Sequence, residues 1–503
     1  MRLFTALISL LCLPSALSAQ YGINYEGSLT AGGGSGDFAP YYISSLNHGR
    51  YTEELTVQAE AKAWRPIDTD KRFSYGFGID LLAGYSSSTD YGRYSPSTAE
   101  WTSHAVRPSA LRLQQLYGEI KYRGVFLLAG MKEHTSALLN QRLTSGDLIE
   151  SGNTRPIPEV RVGFIDFRDI PFTNGWVQIQ GEIGYGKMLD NGWKRDHYNY
   201  YNYHLTEGEW YNYKRCYFRT KPSQPFSLTI GMQAAGMFGG SEVFYSKGIG
   251  YGAVKYPADI KTFFQMLLPR QDGGEAFYTG NHLGSWDIRG RYRLNNGTQL
   301  AAYVSWPWED GSGIGKLNGF DGLWGLEYKA PRPGIVSGAV IEYMDYTNQS
   351  GPIHYAPADY QGTTMTAHAS GSDDYYNNRA HTSYCYFGQS IGTPALMAPL
   401  YNTDGYGGYV ANALRGFHLG IEGTILPGLD YRLKGGYRKA WGNGYFLLPR
   451  PISLAAVMLE ADWRPASVKG LSLNAKLEFD RGSMPGNALG ALLTVKYNGI
   501  LNL

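Results

Sequence analysis

The sequence predicts an all-β fold, a transmembrane antiparallel β-barrel of about 18 strands. Three observations lead to this prediction. Apolar and polar residues alternate along most of the chain, an export signal precedes them, and the composition is polar overall but rich in aromatic residues.

The alternation is clearest in residues 471–480, which end in Leu477, Glu478, Phe479 and Asp480. Successive side chains of a strand point to opposite faces, so each such strand separates an apolar medium from a polar one. A water-soluble sandwich has this property, and so does a barrel with lipid outside and water inside.

The N-terminus favours a barrel in the outer membrane of a Gram-negative cell. Arg2 precedes an apolar run over 3–13 and a stretch of small residues over 15–19, the pattern of a signal peptide at 1–19 with Gln20 as the first mature residue. Beyond it we find no apolar run of the ~18 residues that a spanning helix needs. Secreted and periplasmic locations remain as alternatives.

The composition of the 503 residues agrees with a barrel. The chain holds 65 Gly, 41 Tyr and 11 Trp, and its mean hydropathy is −0.32. Inward polar residues lower the hydropathy of a barrel, while Tyr and Trp form girdles at its two membrane interfaces. The formal net charge of +2 gives no indication of a nucleic-acid partner. Cys216 and Cys385 are the cysteines of the mature chain, and the sequence leaves their pairing open.

Alternating segments bounded by turn residues give the strand count. The predicted strands, in order, are 23–30, 55–63, 73–83, 111–123, 125–131, 160–167, 177–185, 211–218, 226–234, 286–292, 300–306, 323–328, 339–343, 417–421, 431–437, 457–463, 471–479 and 491–497.

The connections differ in length and two of the segments between strands have helical spacing. Short turns such as 295–297 and 427–428 alternate with long connections, as periplasmic turns alternate with extracellular loops. Apolar residues follow a 3.6-residue period near 258–270 and, more weakly, in 136–150. We expect both segments to form small helices packed against one end of the barrel.

Several motifs resemble those of a known family. Residues 151–158 read S-G-N-T-R-P-I-P, residues 170–173 read I-P-F-T, and residues 280–287 read G-N-H-L-G-S-W-D. The sequence is similar here to the Wzi family of capsule-assembly outer-membrane proteins. The resemblance implies an 18-stranded barrel over 20–503, with a small periplasmic helical element and an outer surface that holds capsular polysaccharide. The resemblance implies the family's role for this chain but identifies no catalytic residue.

Two long loops, at about 190–211 and 347–413, hold the candidate ligand contacts. Loops of this length are uncommon in a compact domain unless they are functional. Sugar C–H faces pack on aromatic rings, and sugar hydroxyls bond to Asp, Asn and Arg. The alternative is that the aromatic residues form interface girdles or seal the barrel mouth. The polysaccharide-binding candidates are Trp193, Tyr200, Tyr201, Tyr203, Trp210, Asp373, Asp374, Tyr375, Tyr376, Asn377 and Arg379.

One strand carries a charged face that we predict to line the lumen, namely Asp287, Arg289, Arg291 and Arg293. These residues either stabilise the wall in pairs with acids such as Glu478 and Asp480 or attract an acidic polysaccharide.

Motifs for catalysis and for metals lack their structural context. Residues 388–392 match the G-x-S-x-G nucleophile elbow around Ser390, but Thr393 and Pro394 follow where that motif needs a helix. The histidines His134, His282, His354 and His381 lack metal-ligand spacing. We therefore expect no catalytic residue, no cofactor and no metal.

The function predicted from the sequence is a monomeric, lectin-like outer-membrane protein that binds capsular or other surface polysaccharide and helps attach or organise the capsule. We also expect it to contact outer-membrane lipid, and we expect no nucleic-acid partner. A passive sugar porin is the first alternative. An outer-membrane hydrolase that uses loop residues, among them Ser390, is the second.

Overall fold

The computed structural model describes residues 22–267, 280–309, 311–352, 354–355 and 369–502. Eighteen strands form one closed antiparallel barrel, as predicted. The barrel strands are β1 (Gly22–Ser35), β2 (Thr56–Arg65), β3 (Phe73–Ser86), β4 (Leu111–Tyr122), β5 (Val125–Met131), β6 (Glu159–Phe164), β7 (Val177–Lys187), β8 (Trp210–Thr220), β9 (Phe226–Phe238), β10 (Asn281–Arg293), β11 (Gln299–Trp308), β12 (Gly322–Lys329), β13 (Gly338–Asp345), β14 (Leu414–Leu426), β15 (Leu429–Gly442), β16 (Leu447–Trp463), β17 (Leu471–Gly482) and β18 (Ala488–Asn502).

Each strand pairs with the next along the chain, and β1 pairs with β18 to close the sheet. The closing register runs from Gly22 opposite Asn502 to Ser35 opposite Leu489. Closure leaves no sheet edge with unpaired backbone groups, which a strand surrounded by lipid cannot tolerate.

The two faces of the wall have opposite character. On β17, Leu477 and Phe479 are 56% and 54% exposed, whereas Glu478 and Asp480 are 1% and 2% exposed. Exposed apolar side chains on the outside and buried charges on the inside are the reverse of a water-soluble protein and fit a barrel in lipid.

The two ends of the barrel also differ. The termini lie at one end with brief connections such as 123–124, 221–225, 294–298 and 427–428. The opposite end carries the long connections 36–55, 87–110, 132–158, 188–209, 239–280 and 346–413. We call these the short-turn end and the long-loop end. This asymmetry is the one expected of periplasmic turns at the short-turn end and extracellular loops at the other.

The long connections contain further elements outside the barrel wall. A hairpin (Thr89–Ser95 with Glu100–Val106) and a three-stranded sheet (Asn202–Glu207, Ser241–Ser246, Ile249–Lys255) stand at the long-loop end. The short helices are Tyr41–Ser44, Trp193–His197, Ile260–Gln265 and Gly311–Ile314, with a 3-10 turn at Pro399–Tyr401. Two-residue strands pair as His354–Tyr355 with Ala369–Ser370, Asn377–Asn378 with Thr382–Ser383, and Cys385–Tyr386 with Gln389–Ser390, and Arg168–Asp169 adds to β7.

Three connections fold back into the barrel and fill the half of the lumen nearest the long-loop end. We call residues 37–54, 133–158 and 371–413 together the plug. Tyr42, Leu148 and Tyr384 of the plug share one buried apolar cluster with inward residues of the wall such as Met344 and Met458. A cavity of about 10 Å³ beside Leu148 has room for about one water molecule.

Carboxylates of the wall hold the plug by its backbone. Glu478 accepts hydrogen bonds from the amides of Tyr42 and Ile43 at 2.6 and 2.7 Å. Asp480 accepts from the amide of Tyr41 at 2.8 Å. Glu342 accepts from the Thr144 hydroxyl at 2.6 Å and the Ser145 amide at 2.7 Å. Amides buried in the lumen thus have charged acceptors in place of water.

The segment 136–150 is not a helix, contrary to the prediction. It runs through the lumen as turns and bends, and its apolar side chains Leu143 and Leu148 are buried in the plug. His418 of the wall bonds to the Leu143 carbonyl, at 2.6 Å. Side chains of the wall and polar side chains of the segment itself satisfy backbone groups that helical hydrogen bonds would otherwise satisfy, so helical spacing was misleading here.

The helix predicted near 258–270 is present but shorter, at Ile260–Gln265, and residues 268–270 lie outside the described part. Asp259 begins the helix by accepting from the Thr262 amide at 2.8 Å. The helix packs on the outer surface of the wall at the long-loop end, where the Tyr185 hydroxyl donates to the Phe263 carbonyl at 2.5 Å. This position differs from the periplasmic element that the family resemblance implied.

The cysteines are both free, which answers the open question of their pairing. Cys216 is exposed on the outer face of β8, whereas Cys385 is buried in the plug. The barrel wall lies between them.

Within the described residues, every helix is too short or too polar to cross a membrane. The predicted signal peptide, 1–19, lies outside the described residues.

Candidate functional site

The strongest candidate surface lies at the long-loop end, where the outer hairpin meets the segment that follows the helix Trp193–His197. Arg93 on the hairpin donates hydrogen bonds to the carbonyls of Arg195 and Asp196, both at 3.0 Å. The amide of Gly92 donates to the Thr403 carbonyl of the plug at 2.8 Å. The hairpin is therefore fixed over the barrel mouth.

Five aromatic residues gather on this surface, and we call them the aromatic rim: Tyr94, Trp101, Tyr200, Tyr201 and Tyr245. The ring centroids of Tyr94 and Tyr201 are 4.9 Å apart, and those of Trp101 and Tyr201 are 5.2 Å apart. Tyr200 contacts Tyr245 edge to face at 4.9 Å. Trp101 nevertheless remains 53% exposed, so a ligand can reach its ring.

The rings are held in place by the backbone around Tyr200. Tyr200 has a φ of 61°, a left-handed conformation that is unfavourable for a large side chain. The Asn199 side chain accepts from the Tyr201 amide at 3.1 Å, and the Tyr200 hydroxyl donates to the Arg195 carbonyl at 2.9 Å. Partial burial raises the pKa of Tyr200 to about 12, so its hydroxyl stays protonated at neutral pH.

Charged side chains border the rim. Arg195 pairs with Glu207 at 2.8 Å, and both are exposed. The Arg93 guanidinium lies 5.3 Å from the centre of the Tyr200 ring. Flat aromatic faces beside exposed carboxylate and guanidinium groups can pack on sugar rings and bond to their hydroxyls.

The structure separates the other candidates from 190–211. Tyr203 packs on Tyr406 at 5.3 Å, beside the rim. Trp193 stacks on His197 at 4.4 Å and lies against Gly388 of the plug. Trp210 lies on the outer wall, edge to face with Phe263 at 5.2 Å. Only Tyr200 and Tyr201 of this predicted set belong to the rim.

The candidates from 373–379 lie mostly inside the plug. Tyr375 donates to Asp321 at 2.8 Å, and Tyr376 donates to the Leu148 carbonyl. Asp373 is buried and accepts from Ser350 at 2.7 Å. Asp374 and Asn377 are half-buried and bond to each other at 3.2 Å. Arg379 is the exposed member of the group. Most of these side chains pack within the plug. This position agrees with the alternative stated above, in which the aromatic residues seal the barrel mouth.

Sequence reasoning missed Tyr94, Trp101 and Tyr245. Tyr94 and Trp101 face each other across the tip of the hairpin, where Tyr94 pairs with Trp101 in the strand register. The signal available was a turn-rich stretch, Ser95-Pro96-Ser97-Thr98, between two aromatic residues.

The charged face of β10 lies on the inside of the wall. Asp287 is buried and accepts from the Tyr217 hydroxyl at 2.6 Å. Arg289 pairs with Glu327 at 2.5 Å rather than with Glu478 or Asp480, which bond to the plug. Arg291 and Arg293 both donate to the Pro222 carbonyl, at 2.7 and 2.9 Å.

Ser390 has no setting for nucleophilic attack. Its side chain is fully buried, and it lies in a two-residue strand paired with Cys385–Tyr386. A nucleophile elbow needs an accessible serine on a turn between a strand and a helix, and bends follow Ser390 here.

Comparison with known proteins identifies the fold. No protein-family model matches the sequence, and no curated protein matches it. Among solved structures, the chain is similar to Wzi of Escherichia coli, described as an outer membrane protein involved in group 1 capsule assembly and a carbohydrate-binding β-barrel. The match covers 100% of this chain and 87% of that chain, with a TM-score of 0.54 and 13% identity. This likeness shows the fold, a closed 18-stranded antiparallel β-barrel of the kind found in outer-membrane proteins.

Two porins also match with lower scores. OccAB2 of Acinetobacter baumannii has a TM-score of 0.46 and 10% identity over 95% of this chain and 98% of its own. OprD of Pseudomonas aeruginosa has a TM-score of 0.44 and 10% identity over 96% of this chain and 97% of its own.

Proposed function

We propose that this barrel is a member of the Wzi type, a lectin-like surface protein that binds capsular polysaccharide without an enzymatic step and helps attach or organise the capsule. The observation that carries the proposal is an exposed aromatic rim at the long-loop end of a barrel whose lumen is plugged. The carbohydrate binding described for the structurally similar Wzi supports it.

Binding at the rim is expected to be weak for each sugar. The rim offers a few rings and one exposed ion pair, a small area for a single residue of a polymer. A polymer presents many identical repeats near the same surface, so a repeat that dissociates is replaced quickly by its neighbour. Retention of the polymer thus comes from effective concentration rather than from one tight contact.

Deletion of the protein in an encapsulated cell tests the proposal directly. Cell-bound and released polysaccharide are measured in the deletion strain and in the same strain complemented with the wild-type chain. The proposal predicts that polymer moves into the medium while the total amount stays unchanged. Polymer that remains on the deletion strain at the wild-type level would contradict it.

The plug favours an anchor over the passive porin. Conductance in planar bilayers separates the two, since an anchor is expected to be silent and a porin to give large steady channels. The buried position of Ser390 disfavours the hydrolase, and a serine-reactive fluorophosphonate should leave Ser390 unlabelled.

A further inference from the structure

The half of the lumen nearest the short-turn end is not packed like the plug. We call this part the inner vestibule. Along β17, Glu478 and Asp480 beside the plug are buried, whereas Ser472, Asn474 and Lys476 nearer the short turns are half-buried. Lys496 of β18 is 38% exposed. Water therefore reaches inward side chains from the short-turn end.

Several cations of the inner vestibule pair with a carboxylate. Lys62 and Lys496 lie 3.9 and 3.2 Å from Glu26. Arg432 pairs with Glu460, and Arg289 pairs with Glu327. Such pairing is the ordinary way to keep charges inside a barrel wall.

Arg291 and Arg293 bond to backbone carbonyl oxygens instead. Both guanidiniums donate to the same carbonyl, that of Pro222, and Arg293 also reaches the Ser223 carbonyl at 3.3 Å. Within the described residues, neither has a carboxylate oxygen within 4.0 Å. Both side chains are half-buried, so their charges are only partly screened by water.

A third arginine faces the same space from β8. Arg219 lies on the inner face, with its guanidinium 3.9 Å from the centre of the Phe167 ring and bonded to the Gln178 side-chain oxygen at 2.8 and 3.0 Å. Arg219 lies opposite Thr229 of β9, and Thr229 lies opposite Arg289 of β10, so Arg219 is two strands away from the charged face of β10. Asp166 at the mouth attracts Arg219, but no carboxylate reaches it within 4.0 Å in the described part of the chain.

We propose that Arg219, Arg291 and Arg293 form an oxyanion-binding site in the inner vestibule, open to the short-turn end. Carbonyl and amide oxygens use only part of the donor capacity of three guanidiniums, each of which has five N–H groups. Guanidinium forks bind carboxylate and phosphate groups in pairs of parallel hydrogen bonds. The plug separates this site from the aromatic rim, so it goes beyond the proposed function and does not depend on it.

The competing explanation is that Arg291 and Arg293 only fasten the turn 221–225 to the wall. That role needs their hydrogen bonds to Pro222 but no ligand. A binding measurement separates the two explanations because a fastening role predicts no affinity for anions.

The test is isothermal titration of the purified full-length barrel in detergent micelles at low salt, with two probes. Tetragalacturonate carries carboxylates, and inorganic pyrophosphate carries phosphates. We expect at least one probe to bind, and the probe that binds identifies the anion source. The double variant Arg291→Gln/Arg293→Gln should bind it at least about tenfold more weakly, since each guanidinium bond to an anion is charge-assisted.

Two further variants test whether a loss of binding is specific to Arg291 and Arg293. Arg464→Gln, at the same end and paired with Asp430, is the matched control and should bind like the wild type. Arg291→Lys/Arg293→Lys keeps the charge but loses the paired hydrogen bonds of the guanidinium forks, so it should bind more weakly than the wild type and more tightly than the glutamine pair. Its comparison with the wild type serves the test if the glutamine pair fails to fold. The proposal is wrong if neither probe binds the wild-type protein, or if the folded glutamine or lysine pair binds exactly as the wild type does.

Discussion

Tyr201 shows what a single residue of the rim contributes. It contacts both rings of the hairpin tip, Tyr94 and Trp101, so it joins two connections of the barrel into one surface. The function proposed for the rim therefore depends on a few identified rings.

Replacement of those rings is the first prediction. Trp101→Ala and Tyr201→Ala should each release a large part of the cell-bound polysaccharide, because each removes an aromatic face worth about 0.5–1.5 kcal/mol beyond its buried area. The measurement is the ratio of bound to released polymer at equal protein levels. Phe446→Ala removes another exposed ring, 76% exposed, at the same end of the barrel and should leave that ratio unchanged. Equal ratios in all variants would contradict a role for the rim.

Glu53 gives the protein a dependence on pH. It lies in the plug, 5% exposed, where it accepts a hydrogen bond from the hydroxyl of Thr89 on the hairpin at 2.7 Å. Burial raises the pKa of Glu53 from 4.5 to about 7, against the weaker effects of hydrogen bonds and of Arg112. Folding therefore favours the protonated carboxyl. The contribution of Glu53 to the free energy of unfolding is full below pH 4.5 and is lost as the pH rises through 7.

Glu53→Gln should remove that loss, because the amide resembles the protonated acid. At pH 8 we expect the free energy of unfolding to rise by about 1–3 kcal/mol over the wild type. At pH 4 the two proteins should be equal. Urea unfolding in micelles at both pH values measures this, with the exposed Asp90→Asn as control. A difference between the Glu53→Gln variant and the wild type that is the same at pH 4 and at pH 8 would refute the assignment.

At the scale of elements, the period-two pattern located the strands well. Each of the 18 predicted segments overlaps one barrel strand. The largest error in length is at β16, predicted over 457–463 and observed over Leu447–Trp463. Pro449 and Pro451 argued against a strand over its first half, so the prediction began too late. They lie in a stretch between the pairings of Leu447 and Ile452 where β16 has no partner residue on β15, so their missing amides cost no hydrogen bond there.

The plug and the rim could not be predicted in the same way. Both depend on contacts between distant segments, such as Tyr376 with Leu148 and Tyr94 with Tyr201. Composition identified the loops as rich in Tyr, Asp and Asn, but those residues suit both a sugar site and a buried network. Only the fold assigns 373–378 chiefly to the plug and Tyr200 and Tyr201 to the surface.

The plug should open when its attachment to the wall is weakened. Glu478→Ala leaves the amides of Tyr42 and Ile43 without their carboxylate, at a cost of about 1–3 kcal/mol for each buried group left unpaired. We expect channel openings in planar bilayers where the wild type is silent.

Glu26→Ala is the matched control for that experiment. Glu26 is also an inward carboxylate, but its ion pairs are with Lys62 and Lys496 of the wall. Its loss should leave the barrel silent. Openings in the wild type, or silence of the Glu478 variant, would show that Glu478 does not keep the lumen closed.

At the scale of the whole molecule, stability depends on the seam between β1 and β18. Deletion of residues 488–502 leaves β1 and β17 as open edges, which lipid cannot hydrogen-bond. We expect the shortened chain to fail to refold in detergent into the form that resists SDS before boiling. Deletion of 501–503 removes only the last pairings of the seam and should still refold.

The hydrogen bond between Tyr41 and Asp480 joins residues 439 positions apart in the chain. Contacts of such sequence separation form slowly, because a long stretch of chain must be ordered before they are gained. The N-terminal part of the plug has its acceptors on the next-to-last strand, so it cannot dock until almost all of the protein has been made. The earliest loop to leave the ribosome is thus among the last to find its native contacts.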